Sequence, residues 1–243
     1  MSQLSQFSLL FLLPISDFMV SFIWVCLGAL SRLLVHRILG LGFDTGADTA
    51  KGLLSVGSMF LCAWLGKITG GGSYNPLALL PGAISGHFSW FVFTIAARVP
   101  VQVLGCIAAA KLITETFPRI GDGPCLNVEM HLGALTEGLL SFGIVVISME
   151  ATYITSDDFF MKTWISSVCK VALHLLGSDL TGGWMNPASA IGWTYMDGKF
   201  ISEEHLLVYC LAPIQATLLA VWIFRLFVKP TEEEEIIKKK KTD

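Results

Sequence analysis

Apolar residues run along this chain in long blocks, separated by short polar stretches that hold most of the charge. The blocks are roughly Phe18–Leu39, Gly52–Gly66, Phe88–Ile113, Leu132–Ile154, Phe159–Gly177 and Leu206–Val228. A helix needs about 20 apolar residues to cross a bilayer, and each block is that long or nearly so. The pattern predicts an all-α membrane protein with six transmembrane helices. The stretch "FSLLFLLP" has no Lys or Arg before it and no clean small-residue cleavage site. It reads as a lead-in, residues 1–17, rather than a signal peptide. Pro118, Gly121, Gly123 and Pro124 mark the longest connection, residues 114–130, which separates a three-span half at 18–113 from another at 131–228. A charged tail, 229–243, follows.

Each half interrupts its apolar pattern with the same device. "GGSYNPLALLPGAISG" follows the second block and "GGWMNPASAIGW" follows the fifth, and both read G-G-x-x-N-P. Asn is a favoured helix cap, and Pro suits the first helical position because its missing N–H would be unpaired there anyway. Each Asn-Pro therefore predicts the start of a short helix, about ten residues long before the next turn signal. Such a half-helix reaches only mid-bilayer, where non-helical backbone survives only inside protein or along a wet cavity. The preceding glycines permit tight backbone there. With three spans per half, the halves enter the membrane from opposite sides, an inverted repeat of the kind that marks a transport site at the midplane. The side-chain carbonyls of Asn75 and Asn186 are expected to cap their own helices. Their N–H₂ groups are expected to donate into a lumen towards which both positive helix ends point. A cation meets a barrier at that spot; a neutral hydrogen-bond acceptor does not.

Composition agrees with the membrane reading and excludes other classes. The 243 residues are 53% hydrophobic and 14% charged, with a mean hydropathy of +0.67, where a soluble domain carries about a quarter charged residues. A net charge of −3 argues against a nucleic-acid partner. Cys26, Cys62, Cys106, Cys125, Cys169 and Cys210 form no C-x-x-C pair, and five of them lie in apolar blocks, so neither a metal site nor a disulfide framework is expected.

The two boxes in their six-span setting resemble the aquaporin (major intrinsic protein) family, over nearly the whole chain as far as "VYCLAPIQATLLAVWIF". The N-P-L first box, the N-P-A second box, "HLGALTEGLLSF" and a lysine-ended tail resemble the plant small basic intrinsic proteins, type-two branch, although the pI here is about 5.9. The resemblance implies the aquaporin fold, a homotetramer in the bilayer, no cofactor, no catalytic residue and passage of water or small neutral solutes. It marks Asn75, Pro76, Leu77, Asn186, Pro187 and Ala188 as the pore boxes. It puts Ser55, His174, Gly183 and Ser189 at the selectivity constriction, where position 189 normally holds arginine. A serine there removes a fixed charge and a bulky fork of donors, so a wider mouth is expected. Leu77, where alanine is usual, is expected to put a larger apolar side chain beside the central narrowing. Glu137 is expected to hold loop backbone through hydrogen bonds, while the matching glutamate of the first span is missing.

Other residues carry less. Arg98, beside Pro100, is left to snorkel or to meet a carboxylate. His36, His87, His131 and His205 are assigned nothing, and the Trp and Phe residues read as lipid-facing or interfacial anchors. The tail "KPTEEEEIIKKKKTD" is a solvated run by default, but Lys240 and Lys241 match the dilysine retrieval signal of endoplasmic-reticulum membrane proteins, which requires a cytosolic end. The leading function is a passive channel in that membrane, open to solutes such as hydrogen peroxide or a small polyol. A secondary transporter is the second reading, opposed by the lack of ionisable pairs near the boxes. A weakly or non-conducting structural protein of the same fold is the third. An enzyme is the least favoured, since Glu137 and His174 form no recognised intramembrane catalytic motif.

Overall fold

The computed structural model describes residues 3–42, 45–118, 120–121, 123–155, 158–196, 198 and 202–227, with backbone only for 3–9. Lys240 and Lys241 lie outside the described residues. Among the described residues, six helices are long and apolar enough to cross a membrane. We label the elements α1 (Gln3–Arg32, continued by a π-helical turn, Leu33–Ile38), α2 (Thr45–Ile68), α3 (Pro76–Ser85), α4 (Phe88–Thr116), α5 (Met130–Ile154), α6 (Phe159–Gly177), α7 (Pro187–Met196) and α8 (Glu203–Phe227). Helices α3 and α7 are the two short ones that open at the boxes, ten residues each.

Two boundaries differ from the hydrophobic pattern for a physical reason. Helix α1 starts at Gln3, and its candidate span starts at Leu10, so Asp17 lies inside the first membrane helix rather than ahead of it. The unbroken apolar block begins at Phe18 only because a carboxylate precedes it. Likewise α2 begins at Thr45, and the polar turn around Asp48 and Lys51 is helical, tied by an ion pair at 2.8 Å.

The packing repeats between halves. Helix α1 packs on α2 and α4, and α5 packs on α6 and α8, while α2 meets α6 across the middle. Each half-helix crosses over: α7 packs on α4 and α3 on α8. Small residues make these approaches possible. A Cβ on Gly105 would lie 2.5 Å from the Phe18 carbonyl, and one on Gly192 would lie 2.7 Å from Cys106 Cβ, the close backbone contact that drives helix association in lipid. Large apolar side chains such as Leu53, Leu139 and Trp222 face outward.

Both third helices carry a π-helical turn just before a proline. In α4 it covers Thr94–Arg98 ahead of Pro100, with the Val99 N–H reaching back to Thr94. In α8 it covers Leu207–Leu211 ahead of Pro213, with the Ala212 N–H reaching Leu207. Proline removes one ladder donor and crowds the preceding turn; the wider turn takes up that misfit.

Candidate pore site

The asparagines cap as the sequence predicts. Asn75 is extended (φ −136°, ψ 121°), and its Oδ1 accepts from the Leu77 N–H at 3.0 Å. Asn186 Oδ1 accepts from the Ser189 N–H at 3.4 Å.

The amide nitrogens behave differently from the expectation that they serve only a lumen. Asn75 Nδ2 donates to the Met185 carbonyl at 2.8 Å, and Asn186 Nδ2 donates to the Tyr74 carbonyl at 3.1 Å. Each box thus grips the backbone residue just before the opposite box. Asn186 Nδ2 also donates to Ser189 Oγ at 2.9 Å, so both of its hydrogens have acceptors inside the protein. Asn75 keeps one N–H beyond its bond to Met185. These cross-bonds place the positive ends of α3 and α7 against one another.

Two buried carboxylates hold the loops that feed the boxes. Glu137, fully buried on α5, accepts from the N–H groups of Trp184 at 2.8 Å and Met185 at 2.9 Å, and from Thr181 Oγ1 at 2.8 Å. This clamp keeps Met185 at φ 45°, a left-handed conformation costly for a non-glycine residue. Tyr209 adds a bond from its hydroxyl to the Thr181 carbonyl at 2.9 Å, and the connecting loop adds Asn127, donating to the carbonyls of Leu180 and Asp179.

The first half has a counterpart that the sequence analysis did not find. Asp17, fully buried on α1, accepts from the Ser73 N–H at 2.7 Å, and Ser73 precedes Asn75 by the same step as Trp184 precedes Asn186. Arg98 donates to Asp17 through Nε at 2.6 Å and Nη2 at 2.9 Å, and also to the Gly71 carbonyl. Gln102 donates to the Ser73 carbonyl at 3.1 Å. The place of the missing glutamate is taken by Asp17 on the first helix, with Arg98 neutralising it. The readable signal was an Asp at the edge of one apolar block and an Arg inside another.

The four residues marked for a constriction differ in exposure. Ser55 on α2 is half-buried and His174 on α6 is exposed. His174 Nδ1 donates to the Gly183 carbonyl at 3.1 Å. Gly183 has φ +55°, and a Cβ there would lie 2.7 Å from the His174 carbonyl oxygen, so glycine is required on both counts. Ser189 is 4% exposed, its hydroxyl beside Asn186 and 3.7 Å from Cys106 Sγ. The hydroxyl is engaged by the box rather than free. Leu77 is 2% exposed and packs in a core cluster with Leu80, Leu140 and Met185; its extra bulk fills space behind the box.

An inverted pair of half-helices, cross-braced at their caps inside a six-span bundle, defines a membrane channel. No protein-family model matches the chain. It is 50% identical to "Probable aquaporin SIP2-1" of Arabidopsis thaliana, over 95% of this chain and 98% of that one. It is 48% identical to "Aquaporin SIP2-1" of Oryza sativa subsp. japonica, over 95% and 93% of the two chains. The fold is similar to the X-ray structure of the aquaglyceroporin from Plasmodium falciparum, with a TM-score of 0.68, 15% identity and coverage of 90% and 96%. The chain belongs to the aquaporin family, in the type-two branch of the plant small basic intrinsic proteins. It is a channel and not an enzyme.

Proposed function

We propose that this channel conducts water and small neutral solutes passively across the endoplasmic-reticulum membrane, as a homotetramer with both termini cytosolic. The observation that carries the conduction reading is the reciprocal grip of the boxes, Asn75 on Met185 and Asn186 on Tyr74. That grip sets two helix ends of like polarity at one point, a barrier to cations and not to neutral acceptors. Ser55, His174, Gly183 and Ser189 form the constriction in this reading. With three of them small, solutes larger than water, such as hydrogen peroxide or a small polyol, pass as well. Lys240 and Lys241 supply the retrieval signal, and the tetramer follows the family pattern.

Stopped-flow swelling of proteoliposomes tests conduction. Swelling in an osmotic gradient with no ion gradient is the expected result. Swelling that requires an ion gradient would make the protein a coupled transporter. Absence of swelling would favour the structural role, for which the full engagement of both Asn186 amide hydrogens is the supporting observation. The solute is tested with Ser189→Arg, which is expected to lower the ratio of solute to water permeability. An unchanged or higher ratio would move the limiting gate away from position 189.

A further inference from the structure

We propose that Lys170 is a fixed positive charge of this pore and adds to the cation barrier set by the two helix ends, an inference that rests on the channel reading above. Lys170 stands in the body of α6, an apolar membrane helix. It lies four residues before His174, so the two share one helix face, and His174 on that face bonds the loop that feeds the second box. Lys170 Nζ reaches across to the first half of the protein. It sits 5.2 Å from the ring centroid of Trp24 on α1 and 5.2 Å from that of Tyr74, whose rings stack at 4.2 Å. Tyr74 is the residue whose carbonyl Asn186 grips. The ammonium is thus held beside the junction of the boxes.

Its charge is not neutralised there. Among the described residues, no carboxylate forms an ion pair with Lys170 and no hydrogen-bond acceptor is matched to its Nζ. The two fully buried carboxylates are used elsewhere, Asp17 by Arg98 and Ser73, Glu137 by the loop amides. A bare ammonium in a membrane helix is costly and marks a functional or water-lined position. Lys170, Trp24 and Tyr74 all keep part of their surface open, as side chains around a lumen would. The aromatic faces hold the cation without cancelling it. A snorkelling lysine would run towards a helix end, whereas this one crosses to the opposite wall. Ser189 contributes no charge, so Lys170 is the charge that a permeating ion meets beside the helix ends.

The test uses full-length protein in proteoliposomes, with wild type, Lys170→Met, Lys170→Gln and Lys170→Arg. Osmotic swelling and collapse of a potassium or proton gradient are read on the same vesicles. Both neutral variants should swell like the wild type while the cation leak rises about tenfold, the scale of removing one charge from a partly screened site. Lys170→Arg should remain cation-tight. Neutral variants that swell and stay as tight as the wild type would overturn the role of Lys170 and leave the channel intact. A wild type that fails to swell would overturn the channel reading and this inference with it. If Lys170→Met fails to fold, Lys170→Gln, which keeps a neutral polar end on a shorter stem, carries the comparison.

Discussion

Asp17 and Arg98, 81 residues apart in the chain, meet at 2.6 Å in the part of the bundle that spans the bilayer, and both side chains are at least 95% buried. The pair is the first-half equivalent of Glu137. Each device presents carboxylate oxygens to N–H groups just before an asparagine cap, and so fixes where a half-helix begins. The two halves reach that end with different chemistry. Glu137 takes three donors and stays alone; Asp17 takes one loop amide and an arginine.

Breaking this pair strands a charge in an apolar medium. Asp17→Asn and Arg98→Met should each lower stability by about 3–5 kcal/mol, with the double variant losing less than the sum. Thermal unfolding in detergent checks the cycle. Additive losses would show that the two side chains do not act as a unit.

Gly183 combines a positive φ with no room for a Cβ. Gly183→Ala should therefore cost about 2 kcal/mol or more, from backbone strain and displacement of His174 together. Gly57, whose Cβ would meet nothing within 4 Å, supplies the control, and Gly57→Ala should be neutral or slightly stabilising. Comparable expression and melting of the two variants would contradict the geometry at Gly183.

Asn186 donates to the Tyr74 carbonyl and to Ser189 Oγ. Asn186→Asp replaces both donors with an acceptor facing a carbonyl and adds a negative charge beside the helix end. Cation leak should rise and the folded state should weaken by about 1–3 kcal/mol. Gradient collapse in proteoliposomes reads the first effect and thermal unfolding the second. Wild-type tightness to cations in this variant would mean that the caps do not set the central barrier.

Replacing Lys240 and Lys241 with serine should release part of the protein to later compartments, measured by fractionation or fluorescence of a tagged chain. Distribution identical to the wild type would reduce the tail lysines to a solvated run.

Much of the architecture follows from the sequence taken alone. Block length dictates six spans, because a bilayer admits only backbones that satisfy themselves. The two G-G-x-x-N-P boxes dictate two capped half-helices, because Asn and Pro suit adjacent positions of a helix start and little else in an apolar run. Glu137 was legible as a charge that a span must pair or use, and the family resemblance implied its role as a backbone holder. What the tertiary structure alone decided is which distant groups meet. Asp17 looked like the end of a lead-in, and Arg98 stood between snorkelling and meeting a carboxylate, until α1 and α4 packed together and made them a pair. Lys170 drew no attention as one polar residue in an apolar helix, and only the crossing of α6 towards Trp24 and Tyr74 gives it a place. Local pattern is governed by backbone hydrogen bonding and burial, which each segment carries within itself. Long-range pairing depends on rotation and depth of whole helices, and those are set by small-residue contacts such as Gly105 against Phe18 that no single segment encodes.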